Sequence, residues 1–321
     1  MAWQTPSSRR HPPPPPYKMQ SITVKPSFPT TSKNPKAKSP IPSATPLKFQ
    51  YTPSKDGVDL NLLILFHGLG KPKSRMRATR VQATDAAPFS TGDTEKPFAQ
   101  LGERLQLPQT ATLAVRAPAL IPYFDDGFEW FPSFDLSTGD NLPDAHPTRL
   151  SGLHATRALL TAFLTTHLIP HCGFDPSNIF LFGFAQGATV ALDLALFGVV
   201  RNLGGVVGVA GYLLGAQATG ERVPERRFEG PVLILQGERE FSGRAVPEKE
   251  FEQLKKFCDP SAKVAQVFVP GKGGEMPNSE REWRAVHTFF AAHLARRILQ
   301  LEGMSDVYEV TVSGRVVVPQ G

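Results

Sequence analysis

Cysteine is nearly missing from this sequence: Cys172 and Cys258 are the two among 321 residues, which excludes a disulfide framework and makes a reducing compartment the default. Long apolar runs are missing too. No stretch of about 18 uncharged apolar residues occurs. Gly187 to Val200 is broken by Asp193, and Leu203 to Ala216 is short and rich in glycine, so no transmembrane segment is expected. Acidic residues are absent from one region only. Residues 1–55 hold no Asp or Glu but nine Lys or Arg, and beyond them 26 basic residues face 29 acidic ones. The net charge of +6 therefore belongs to a tail, and the folded part is not expected to bind nucleic acid.

That tail also takes 13 of the 31 prolines before residue 54. Interleaved with Ser, Thr and Lys, they leave too little apolar surface to offset the entropy of ordering, so residues 1–55 are expected to be disordered. The N-terminus has no apolar core of secretory type. Its basic, acid-free composition suits a mitochondrial presequence, but Pro12 to Pro16 forbid an amphipathic helix there, which favours a cytoplasmic location. The same run can serve an SH3 or WW domain as a polyproline ligand, though linker is its commoner role.

From residue 58 the pattern changes. Leu60 to Phe66, Thr112 to Arg116, Ile179 to Phe182, Gly205 to Ala210, Pro231 to Leu235 and Val264 to Val269 read as buried strands. Between them Phe98 to Leu105, Arg149 to Leu168, Gly187 to Phe197, Glu248 to Phe257 and Ser279 to Leu301 read as helices. Strict alternation implies one α/β domain over residues 56–303, a mostly parallel sheet covered by helices on both faces. Residues 71–95, polar and aperiodic, are expected to be a surface loop inserted in it. Tyr308 to Val318 alternates around Ser313-Gly314 and reads as a hairpin appended over residues 304–321, either a sheet-edge patch or a surface for a protein partner.

The chemistry should lie at Gly183-Phe184-Ala185-Gln186-Gly187. A turn this sharp between a strand and a helix needs glycine on both sides of a central residue, which is then presented above the sheet at a helix N-terminus. IFLFGFAQGATVALDLAL resembles the elbow of the phospholipase/carboxylesterase family of α/β-hydrolases, which includes the acyl-protein thioesterases. There the turn reads Gly-Phe-Ser-Gln-Gly. His67-Gly68-Leu69-Gly70 resembles that family's oxyanion loop, and Phe128-Glu129-Trp130-Phe131 its substrate-side segment. The resemblance covers roughly residues 58 to 300.

It implies an α/β-hydrolase fold, with main-chain donors at Gly68 or Leu69 and Gln186 able to polarise a carbonyl. It also implies an acyl or other apolar ligand beside Trp130 and Phe131, although an aromatic cluster in a long loop can equally anchor that loop. The family's order is nucleophile, acid, histidine. In this sequence the nucleophile position is Ala185, the acid position Glu240, and the histidine position Gly274. A methyl group cannot attack an acyl carbon, and without an imidazole no group takes the proton from a hydroxyl. Ala185 is either a natural departure or a laboratory Ser→Ala change; a chain that also lacks the histidine favours the first. His287 and His293 sit at helix positions expected to be partly buried, and His67 begins the oxyanion loop. No paired ligand spacing points to a metal or cofactor, and neither cysteine resembles an activated thiolate.

Overall fold

The computed structural model describes residues 39–41, 45–69, 94–122, 127–214, 222–238 and 248–297, with the strands Val24–Lys25, Tyr308–Val310 and Val316–Val317. The expected loop 71–95 lies outside these residues up to position 93, as do Gly70, Asp125, Asp126 and Glu240.

The elements in chain order are β1 (Val24–Lys25), β2 (Phe49–Thr52), β3 (Asn61–Phe66), α1 (Glu95–Leu105), β4 (Thr110–Val115), β5 (Ala119–Leu120), β6 (Phe128–Glu129) and α2 (Pro147–Phe163). They continue with β7 (Ile179–Phe184), α3 (Gln186–Phe197), β8 (Gly205–Val209), β9 (Val232–Gly237), α4 (Glu248–Lys255), β10 (Val264–Val269), α5 (Glu280–His293), β11 (Tyr308–Val310) and β12 (Val316–Val317). Seven strands form one sheet in the order β10-β9-β8-β7-β3-β4-β2. All its neighbours pair in parallel except β2, which runs antiparallel to β4.

Every residue of β3 and β4 is buried, the signature of strands covered on both faces. Alternation along the strands sorts the core into two layers. Leu62, Ile64, Phe66 and Leu181 pack with Leu153 and Phe163 of α2, Val190 of α3 and Leu254 of α4. Leu63, Leu65, Phe180 and Phe182 face the other way, onto Phe98 of α1 and Phe290 of α5. The α/β expectation holds, with a parallel sheet between two helical layers.

Three differences have physical causes. β2 lies inside the segment expected to be disordered to residue 55, because Phe49 and Tyr51 pack against the core while Gln50 is exposed, an edge-strand pattern hidden by the prolines around it. Val24–Lys25 of the same segment pairs in parallel with β11, which pairs antiparallel with β12. The chain divides into two compact units, Met1–Ser32 with Arg297–Gly321 and Lys33–Arg296. The helix expected over 149–168 changes at Leu164–Leu168 into a π turn. Among the described residues no helix is long and apolar enough to cross a membrane.

The chain after α5 is tied to the start of the sheet by one side chain. Asn61, fully buried, donates from Nδ2 to Ala295 O at 2.9 Å and accepts from Ala295 N at 3.1 Å. Asn61→Ala removes both bonds to the Ala295 main chain and is expected to lower the unfolding free energy by about 2 kcal/mol, measured by urea denaturation against the unchanged protein.

Candidate functional site

Parallel strands place their C-terminal ends along one edge of the sheet. The registers Phe66 with Gly183, Phe184 with Val209, Val209 with Leu235 and Gly237 with Val269 bring the loops after β3, β7, β8, β9 and β10 to that edge. These are the oxyanion loop, the elbow, the Ala210–Leu214 stretch, the acid turn and the loop expected to carry the base.

The elbow is built as the sequence requires. Ala185 has φ 49 and ψ −116, a region that non-glycine residues occupy at a cost of about 1–3 kcal/mol. Its N–H donates to Val209 O at 2.9 Å, and its C=O accepts from Ala188 and Thr189 in the first turn of α3. A Cβ at Gly183 would overlap the main chain of Gly187 and Ala188, and one at Gly187 would overlap the carbonyl oxygens of Phe66 and His67. Gly68 is equally confined, since a Cβ there would sit 2.9 Å from the Phe184 ring and 3.3 Å from the Ala185 methyl. Helix geometry leaves the first N–H groups of α3 without intrahelical acceptors, and Ala185 supplies no side-chain cap to them. The position presents a half-buried methyl.

Gln186 does not reach outward. Its Oε1 accepts from Trp130 N at 2.8 Å, while Nε2 donates to Phe131 O at 2.6 Å and to Ser133 Oγ at 2.9 Å. Trp130 donates from Nε1 to His67 O at 2.8 Å and packs edge-on against Phe66. Trp130 and Phe131 are each 1% exposed, and their bonds to His67 and Gln186 anchor the segment to the elbow.

His67 is structural as well. It is fully buried, and its Nε2 lies 2.9 Å from Ala117 N. An amide can only donate, so Nε2 accepts, the proton sits on Nδ1, and that N–H donates to Gly68 O at 2.8 Å. Both nitrogens are spent on the main chain that shapes the oxyanion loop.

The loop 271–277 leaves β10 and lies against the end of β9, where a Cβ on Gly237 would overlap the carbonyls of Lys272 and Gly273. Gly273 N donates to Glu275 at 2.8 Å, Lys272 pairs with Glu282 at 3.2 Å, and Trp283 caps the loop through Pro277 O. Gly274 brings no side chain. The other described histidines are placed elsewhere. His146 precedes α2 and His154 lies on it, His167 and His171 neighbour each other after it, and His293 packs on Phe289. His287 is exposed beside Trp283, not partly buried as expected. Burial raises the thiol pKa of both cysteines, Cys258 to about 12, which makes them inert at neutral pH. Among the described residues no group of three His, Cys, Asp or Glu could hold a metal ion.

Three features were missed by the sequence reading. Ala210, at φ 51, and Gly211, where a Cβ would overlap Ala185 O, form the turn beside the elbow. Tyr212 follows, accepting at its C=O from Thr189 Oγ1 and donating its hydroxyl to Asp144. Glu129, 6% exposed, is the third. Burial pushes its carboxyl up to about 7 against the opposing bond from Ser133 N–H. The alternation Phe128-Glu129-Trp130 was a signal that one of these side chains points inward.

Two outcomes follow from this geometry. Gly187→Ala is expected to abolish soluble folded protein or to lower stability by more than about 3 kcal/mol, judged by expression and circular dichroism. For Glu129, the folded state holds its proton to a higher pH than the unfolded chain does. Its contribution is therefore whole below the unfolded carboxylate range and is lost as pH rises through about 7. Glu129→Gln should match the parent at pH ~4 and exceed its stability by up to about 3 kcal/mol at pH ~8, read from denaturation midpoints across that range.

Comparison with known proteins agrees with this architecture. The model of the phospholipase/carboxylesterase family matches residues 90–239. An uncharacterized hydrolase of Mycosarcoma maydis is 35% identical over 262 residues, which span 79% of this chain and 85% of that protein. Among solved structures, esterase PE8 superposes with a TM-score of 0.59 at 22% identity, covering 77% of this chain and 99% of its own. Acyl-protein thioesterase 2 of Zea mays superposes with a TM-score of 0.51 at 21% identity over the same shares. Those two share the α/β-hydrolase fold with it, and the family match over residues 90–239 together with the kinship to the Mycosarcoma hydrolase assigns the family: the chain belongs to the phospholipase/carboxylesterase family.

Proposed function

We propose that this member of the family is non-catalytic and uses its fold to hold an acyl or other carbonyl-bearing ligand, or a protein partner. The observation that carries the reading is Ala185. At the strained apex of an otherwise complete elbow stands a methyl group, which has no lone pair to give and no proton to lose. Gly274 at the histidine position supports the same reading, since a general base is absent from the loop expected to supply it. Loss of either member of such a pair costs about 10⁶ in turnover. The main-chain N–H groups at Gly68, Leu69 and Gln186 are untouched by side-chain substitution, and such donors polarise a carbonyl without needing a hydroxyl.

A second reading has one observation in its favour. The elbow has kept the whole steric pattern that serves a serine, so an active carboxylesterase or thioesterase carrying a single Ser→Ala change would look the same at positions 183–187.

Reversion separates the two. For a non-catalytic chain, the purified protein and Ala185→Ser should both hydrolyse p-nitrophenyl acetate and palmitoyl thioesters no faster than buffer. The double change Ala185→Ser with Gly274→His should raise the rate by about 10²-fold or more and restore labelling by a fluorophosphonate. Turnover in the unchanged protein would end the non-catalytic reading, and turnover on Ala185→Ser alone would establish the second.

A further inference from the structure

Ser39-Pro40-Ile41 is held against the α2 side of the sheet by contacts that no catalytic reading uses. Pro40 is buried between two exposed neighbours. Tyr51 of β2, on the same side of the sheet, donates its hydroxyl to Asp59 at 2.7 Å. The Ile41 main-chain N–H donates to Nε2 of His167 at 3.0 Å. Ile41 offers only a donor at this point, so the bond exists only while Nε2 carries no proton.

His167 is built into its place. It is 4% exposed, and its ring stacks on Phe163 with centroids 5.7 Å apart and planes at 16°. Phe163 in turn stacks on Phe49 of β2 at 5.6 Å. The ring cannot swing into water to take up a proton without breaking this stack. On its own segment the titratable neighbour is His171, ring centroids 5.9 Å away. The anchored tripeptide carries no charge. From β2 comes Tyr51, whose hydroxyl is committed to Asp59, and Cys172, whose N–H donates to His167 O, has its thiol pKa raised by burial. Among the described residues no carboxylate pairs with His167 to favour its cation.

We propose that Ser39-Pro40-Ile41 is a proton-released latch. Protonation of His167 at Nε2 removes the acceptor, sets two N–H groups facing each other, and releases Ile41 from the π turn. Burial, and after it the neighbouring His171, lower the affinity of this imidazole for a proton. The latch is therefore closed at neutral pH and opens in the acid range. The sign follows from linkage: a base with its folded pKa depressed stabilises above the unfolded value, near 6.5, and that contribution is lost as pH falls toward the folded value. The device does not depend on whether the elbow is catalytic.

The test is a pH titration of the full-length, isotope-labelled protein by amide and imidazole NMR. The Ile41 amide and the His167 Cε1–H signals are expected to shift with one midpoint below pH ~6.5, and protection of the Ile41 amide from exchange should fall about tenfold per pH unit beneath it. His167→Gln keeps an acceptor without a titration, so its Ile41 amide should stay protected at every pH. His167→Phe keeps the stack without an acceptor, so Ile41 should be unprotected throughout while the amide of Leu113 in β4 stays protected. His171→Gln removes the like charge and should move the midpoint up. An Ile41 signal that does not follow His167, or that titrates equally in His167→Gln, overturns the latch.

Discussion

The arrangement rests on one close approach of main chains. Gly187, at the start of α3, lies so near the carbonyl oxygens of Phe66 and His67 that a single added carbon would overlap them. Because β3 and β7 pair directly, Phe66 opposite Gly183, this contact sets where α3 enters and how sharply the chain turns at Ala185. It also fixes what can surround it. His67 O is taken by the Trp130 indole, the His67 ring is taken by Ala117 and Gly68, and Gln186 gathers Trp130, Phe131 and Ser133. The result is a seat whose parts are held by side chains bonded to main chain, the His67 imidazole, the Trp130 indole and the Gln186 amide among them, with no contribution from the side chains at 185 and 274.

The shape of this seat therefore does not depend on which side chain stands at 185 or 274. The steric demands at Gly183 and Gly187 belong to the fold, since an added carbon there would overlap main chain where α3 meets the sheet.

Much of this was legible in the sequence, because buried parallel strands write continuous apolar runs and an elbow writes its glycines. All six expected strands and five expected helices appear, with shifted ends. What was not legible depends on tertiary neighbours. β2 alternates over only four residues among prolines that look like a tail. The segment Trp130-Phe131 shows its aromatic content but not its direction, and it turns inward only because Gln186 satisfies its main chain. His67 reads as the start of the oxyanion loop, but the bonds of its ring to Ala117 N–H and Gly68 O appear only in the structure. Glu129 looks like an ordinary surface charge, and its burial follows from β6 pairing with β5, two strands too short to announce themselves.

The left-handed backbone at Ala185 has a bearing on the history of this chain. Where a serine does work, the strained turn is repaid by the reaction, and selection can hold the residue in place. Alanine gains nothing of that kind, yet it carries a Cβ into a conformation that glycine adopts with less strain. Alanine and glycine codons are one base apart, so the relaxed form lies within a single mutational step of the present one. A chain released from every demand at this position would be free to drift there. The methyl group is thus a marker to compare across relatives: its retention would speak for a surface still in use, and its replacement by glycine for a turn kept only as architecture.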